Sequence, residues 1–370
     1  MAVVLDIGAE SVAAGVAGDT APRVISPNVA AYTGPKVLPG MAVKEWFVGE
    51  EALAKRGVLR LRRPLDRWRR AFKADMEGHL VKVLEQAFAD LGVSPSAQPA
   101  LLTEPPLQTS EHRERMASVL LTQLRVPALL AAPSAELAAR AAGCTTALVV
   151  ELESEFIAVS AVHEGQALER GVRAWEHEAP AGVDTAFDEH LANMLNERGY
   201  NFGSYEYGRE EVRAIRKQLA YVALDTTEEA AKGVAEISYE LKDGQEVTVG
   251  SERFLCMEPL FAPAAVRPSD GFHPVFGSEG LAKMAHDAVM SCDDGIRGDL
   301  LSNVILSGGL SECPGIAERL QKELAPLFPS DQPPATVKAL PERRLLPWVG
   351  GSMLASLPQF NGMCRTNVEP

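Results

Sequence analysis

Two stretches of this chain follow one pattern. Ala2-Val3-Val4-Leu5-Asp6 and Ala147-Leu148-Val149-Val150-Glu151 are each a short apolar run closed by a carboxylate. Each is followed by a short loop and a second, half-alternating run, Val12 to Val16 in one copy and Phe156 to Val162 in the other. Such runs read as buried strands, and their repetition predicts a duplicated supersecondary unit. The second copy returns through a turn at His163-Glu164-Gly165. Helical spacing fills the intervals. Residues 75–91 place Met76, Leu80, Val83, Leu84 and Phe88 on one face, 111–124 follow the same period, and 134–142 are alanine-rich. Residues 210–223 put Val212, Ile215, Leu219 and Val222 on one side and leave Arg213, Arg216 and Lys217 for a neighbouring cleft. Polar or proline-rich stretches at 32–45, 263–277 and 326–334 read as loops. Strands alternating with helices predict an α/β fold of two lobes, with ligands bound at strand-end loops.

Composition fits that architecture. A chain of 370 residues, 46% hydrophobic and 23% charged, is long enough for two core-bearing lobes. The start lacks a basic segment followed by an apolar core, and no apolar run approaches the roughly 20 residues of a membrane span, so a cytoplasmic address is expected. Cys144, Cys256, Cys292, Cys313 and Cys364 are scattered without paired ligand spacing and read as structural thiols. A formal charge of -14 argues against binding nucleic acid through its phosphates. One basic stretch stands apart: Arg60, Arg62, Arg63, Arg67, Arg69 and Arg70 crowd into eleven positions, either as a solvated face or opposite an acidic partner.

The segment Pro341-Glu342-Arg343-Arg344-Leu345-Leu346-Pro347-Trp348-Val349-Gly350-Gly351-Ser352-Met353 resembles the C-terminal signature of the actin family. Further actin-like landmarks run in the same order along the chain. They include Val4 to Gly8, Phe47 to Ala52, Lys55 to Leu59, Leu101 to Leu107, Glu197 to Tyr200, Tyr221 to Asp225, Gly250 to Phe254 and Leu306 to Gly309. Collinear motifs over the whole length are far more specific than any one glycine-rich loop. The resemblance implies an actin-like two-lobed fold of duplicated ribonuclease-H-like domains, with four subdomains around a central cleft. It places a small lobe at 1–134 plus 335–370, with a D-loop subdomain at about 28–60. The large lobe is placed at 135–334, with an inserted subdomain at about 178–262. A composition rich in Ala and Arg and poor in Lys and Ile fits a genome of high GC content, as a bacterial member of the family would have.

The phosphate loops depart from the family. Holding phosphates takes small residues whose backbone N–H groups approach the oxygens, and a lysine to offset charge. In the first loop, Asp6-Ile7-Gly8-Ala9-Glu10, only Asp6 and Gly8 keep the family pattern, and Ala13 stands where the lysine belongs. The second, Glu151-Leu152-Glu153-Ser154-Glu155, has glutamates in place of both glycines. Two carboxylates about 4 Å from a phosphate charge would each cost about 4 kcal/mol at an effective dielectric of about 20. Half that sum is worth roughly a thousandfold in affinity. The positions that orient the attacking water hold Ser134 and Ala158, which cannot act as acid or base, so no catalytic residue and no efficient ATPase is expected. Residual nucleotide-binding positions are Asp6, Gly8, Arg213, Arg216, Gly308, Gly309 and Arg344, while Glu312 and Cys313 replace the pair that sandwiches the base and Lys217 replaces an acid. These substitutions count against ATP and Mg2+ as cofactors. A carboxylate cluster built on Asp6 and Glu151, with Glu10, Glu153 and Glu155, is an alternative cation site. The other alternative pairs the glutamates with Arg213 and Arg216 across the cleft.

For assembly, Thr33 to Lys44 resembles the DNase-binding loop, with apolar Val37, Leu38 and Met41 at its tip. Exposed apolar tips need a partner to cover them, and in the family this loop makes an open head-to-tail contact. The hydrophobic-plug region differs in sequence but keeps Phe272 and Phe276, and the family's C-terminal helix is largely missing. Three readings follow: a filament-forming cytoskeletal protein with a degenerate nucleotide site, a monomeric actin-related scaffold subunit, and an ATP-binding ATPase. Self-association into filaments is favoured, with further protein partners open and no membrane span.

Overall fold

Alternation along the first strand builds two cores at once. In β1 (Val3–Ile7), Val3 and Leu5 join a buried cluster with Leu80, Val83, Leu84, Phe88 and Leu120. Val4 and its neighbour Ala2 join a second cluster with Leu101, Leu137 and Trp348. Alternate residues of a strand share a face, so one apolar run serves both sides of its sheet. The computed structural model describes residues 1–33, 44–65, 74–176, 182–203, 206–263, 279–329 and 332–366. Val37, Leu38 and Met41, Phe272 and Phe276, and Arg67, Arg69 and Arg70 lie outside the described residues.

The chain divides into two compact units, Met1–Gly143 with Leu345–Pro370, and Cys144–Arg344. In the first, β1 pairs antiparallel with β2 (Ser11–Val16), which pairs antiparallel with β3 (Val24–Pro27). Strands β4 (Ala30–Tyr32) and β5 (Trp46–Val48) form a separate ribbon. On the other side of β1, β6 (Ala100–Glu104) and then β7 (Ala128–Pro133) add in parallel, and a short strand, Arg365–Thr366, closes the edge. In the second unit, β8 (Ala147–Leu152), β9 (Phe156–His163) and β10 (Gln166–Glu176) form the antiparallel meander. A ribbon of β11 (Ile237–Glu240) and β12 (Glu246–Val249) follows, and β13 (Val304–Ser307) and β14 (Val337–Lys338) add in parallel beyond β8. The two sheets therefore share one plan, a meander whose first strand is extended by two parallel strands.

The turn at Glu164-Gly165 has φ of 52° and 82°, the left-handed pair that a two-residue hairpin requires. Helix Ala74–Asp90 and helix Ser134–Ala141 match their spacing. Two expected helices end differently. The one expected at 111–124 is helix Ser110–Ala117 followed by a π-helical turn, Ser118–Gln123, in which Val119, Leu120 and Leu121 are all buried. The one expected at 210–223 is helix Glu206–Leu219. Beyond it Tyr221 N–H donates to Arg253 O (3.0 Å) and Val222 N–H to Pro314 O (2.7 Å), so the backbone leaves the helix to bond other segments. No helix among the described residues is long and apolar enough to cross a membrane.

The tail segment holds the first unit together. Helix Leu346–Ala355 carries Trp348, fully buried, whose Nε1 donates to Val4 O at 3.1 Å. Its ring lies against Gly15, where a Cβ would stand 2.5 Å from it. On the same helix a Cβ at Gly350 would overlap the carbonyl of Leu137 in helix Ser134–Ala141. This close packing ties helix Ser134–Ala141 to the first unit.

Candidate functional site

In the first unit the loop joining β1 to β2 is tied down by its own neighbours. Gly8 N–H donates to Ser11 O (3.0 Å), which closes the turn. Fully buried Asn28 bridges the loop, giving Nδ2 to Gly8 O (2.8 Å) and its backbone N–H to Glu10 O (2.8 Å). Asp6, at the end of β1, accepts from Thr103 Oγ1 at 2.5 Å. Burial pushes the Asp6 carboxyl above its usual range, and the Thr103 hydroxyl opposes that shift. Directly across the ladder from Asp6 stands Ala13, a buried alanine. Ser134 opens helix Ser134–Ala141, and its buried Oγ has no hydrogen-bond partner among the described residues.

In the second unit the loop joining β8 to β9 is a tight hairpin. Leu152 pairs with Ile157, and Glu153 N–H donates to Phe156 O at 3.0 Å. Glu151 is buried in β8, in register with Ala158 on one side and Ser307 on the other. The loop leans on helix Gly182–Glu197, whose Asp184 N–H donates to Ser154 O at 2.9 Å. Gly182, at φ 82°, passes so close that a Cβ on it would be 2.7 Å from that same oxygen. Gly308, at φ 91°, is where the chain leaves β13, and a Cβ there would be 2.8 Å from Glu153 Oε1. Gly309 faces open space.

The arginines of helix Glu206–Leu219 find their acids within the same unit. Arg216, 4% exposed, is paired by Nη2 with Asp184 and by Nε with Asp188 Oδ1 at 2.6 Å. Arg213 Nε reaches Asp188 Oδ2 at 2.9 Å. Burial works against the charge on Arg216, but the two aspartates outweigh it and hold the guanidinium above its ordinary value. The expectation that these arginines bind glutamates across a cleft is thus corrected for Arg216, which spends its donors on Asp184 and Asp188. Asp184 and Asp188 sit four residues apart, so both reach one side of their helix. Arg344 is half exposed and lies 3.5 Å from Glu342 and 4.0 Å from Glu312, a solvent-screened arrangement worth little. Cys313 donates weakly to Ala220 O, and burial pushes its thiol up to about 12.

Sequence reasoning singled out Asp6, Gly8 and the glutamates but missed Asn28 and Thr103, which hold Gly8 and Asp6, Asp184 and Gly182, which lie against Ser154, and Asp188, which pairs with Arg213 and Arg216. Among the described residues no group of three or more His, Cys, Asp or Glu side chains is arranged to hold a metal ion.

Two units built on one strand plan, each with a hairpin loop at the end of its first strand, define a duplicated α/β protein of the ribonuclease-H-like kind. The chain belongs to the actin family, whose model, described as Actin, matches residues 1–369.

Proposed function

We propose that this chain is a filament-forming, cytoplasmic member of the actin family whose assembly is uncoupled from nucleotide. The observation that supports this most is the second loop. Where phosphate oxygens need open N–H groups it offers two glutamates, and its Ser154 carbonyl already holds the Asp184 N–H. In this reading ATP and Mg2+ are not cofactors of the protein. Asp6, Arg216 and Gly308 then serve the fold, through Thr103, the two aspartates and the close passage of the second loop respectively. Ser134 and Ala158 leave no side chain to activate water, so hydrolysis is not part of the reading.

Family membership supports self-association, and the apolar residues Val37, Leu38 and Met41 are the assembly residues we assign. The test is Leu38→Asp in the full chain, followed by high-speed pelleting. The reading expects the wild type to pellet and the variant to stay in the supernatant with an unchanged melting temperature. A variant that pellets like the wild type removes the loop from assembly. A wild type that never pellets favours the monomeric scaffold subunit instead.

A further inference from the structure

We propose that the second loop is a built-in occupant of its own unit's ligand position, with Glu153 filling by volume the space over Gly308 that a phosphate-bearing ligand would need. This rests on the reading that the site does not take nucleotide in the family's way, and it adds a cause other than charge.

Gly308 follows β13, at the carboxyl end of a strand running parallel to β8, where open α/β sheets bind their ligands. Its φ of 91° and its lack of a side chain would leave room for a ligand to approach the backbone. That room is taken. A Cβ on Gly308 would overlap the Leu152 carbonyl and stand 2.8 Å from Glu153 Oε1, so the carboxylate already rests against the glycine. Two hydrogen bonds hold the loop in this place, Glu153 N–H to Phe156 O at 3.0 Å and Asp184 N–H to Ser154 O at 2.9 Å. The second lies in the first turn of the 16-residue helix Gly182–Glu197, where the Ser154 carbonyl satisfies one of the N–H groups that a helix start leaves without an intrahelical partner. The Ser154 carbonyl and the Glu153 carboxylate are therefore oxygens of this chain set where oxygens of a phosphate would go.

Occupation by volume and repulsion by charge predict different outcomes at one position. Glu153→Gln removes the charge and keeps the volume, whereas Glu153→Gly and Glu153→Ala remove both. Equilibrium dialysis of the full-length protein against Mg-ATP, with melting temperatures measured alongside, separates them. Occupation predicts that Glu153→Gln gains less than the smaller variants and that Glu153→Gly binds about tenfold tighter than Glu153→Gln or better. Glu153→Ala carries the test if the glycine variant does not fold. A gain for Glu153→Gln equal to that of the smaller variants would overturn the proposal in favour of charge. No gain in any variant, with a wild type that does not bind, would overturn it while leaving the degenerate site standing. Tight binding by the wild type itself would overturn both.

Discussion

Arg216 takes a positive charge into the interior of the second unit, and only the two aspartates opposite make that tolerable. Transferring a charge out of water costs several kcal/mol per ion, and a good pair mainly offsets that cost. Removing Arg216 takes from both aspartates the guanidinium they share and leaves Asp188 with Arg213. Arg216→Ala is therefore expected to lower stability by about 3–5 kcal/mol. Urea unfolding checks this, and the loss should be nearly the same at low and high salt, because a pair at 4% exposure is poorly screened. An effect that fades in salt would place the pair in solvent. Only the arginine half of this network was legible in the sequence, with Arg213 and Arg216 on one helix face. Their pairing was not, because nothing in one sequence says which helix faces which. Asn28 and Thr103 gave less signal still, being single polar residues whose roles come from the carbonyl of Gly8 and the carboxylate of Asp6 beside them.

At the scale of elements, helix Leu346–Ala355 shows how packing can require glycine without a turn. Gly350 has an ordinary φ, yet a Cβ on it would overlap a backbone carbonyl of helix Ser134–Ala141, which cannot swing aside as a side chain can. Gly350→Ala must push the two helices apart or distort one, at a cost of about 1–3 kcal/mol or more. Gly295→Ala is the matched control, because nothing lies within 4 Å of a Cβ there. Thermal unfolding should show a clear fall in Tm for the first variant and none for the second, and equal behaviour would refute the contact. Strands were the most legible elements, because their short apolar runs stand out and the Glu164-Gly165 turn marks the return after β9. Helix ends were less so. The backbone of Tyr221 and Val222 leaves the helix for Arg253 and Pro314, partners remote in sequence, although Val222 continues the helical apolar period.

For the whole molecule, family membership fixes the fold, while the two hairpin loops decide the chemistry. Both sheets follow the duplicated plan, and the loops at the ends of β1 and β8 are hydrogen-bonded to Asn28, Thr103 and the helix at Gly182. A chain with a formal charge of -14 repels its own copies, so assembly needs specific contacts and will be sensitive to ionic strength. In the proposed reading such assembly has no phosphate to sense. The measurement that tests this most directly is high-speed pelleting of the purified protein, checked by electron microscopy, with Mg-ATP and after exhaustive nucleotide removal. The account predicts filaments in equal amount in both samples. Filaments that form only with ATP would contradict it.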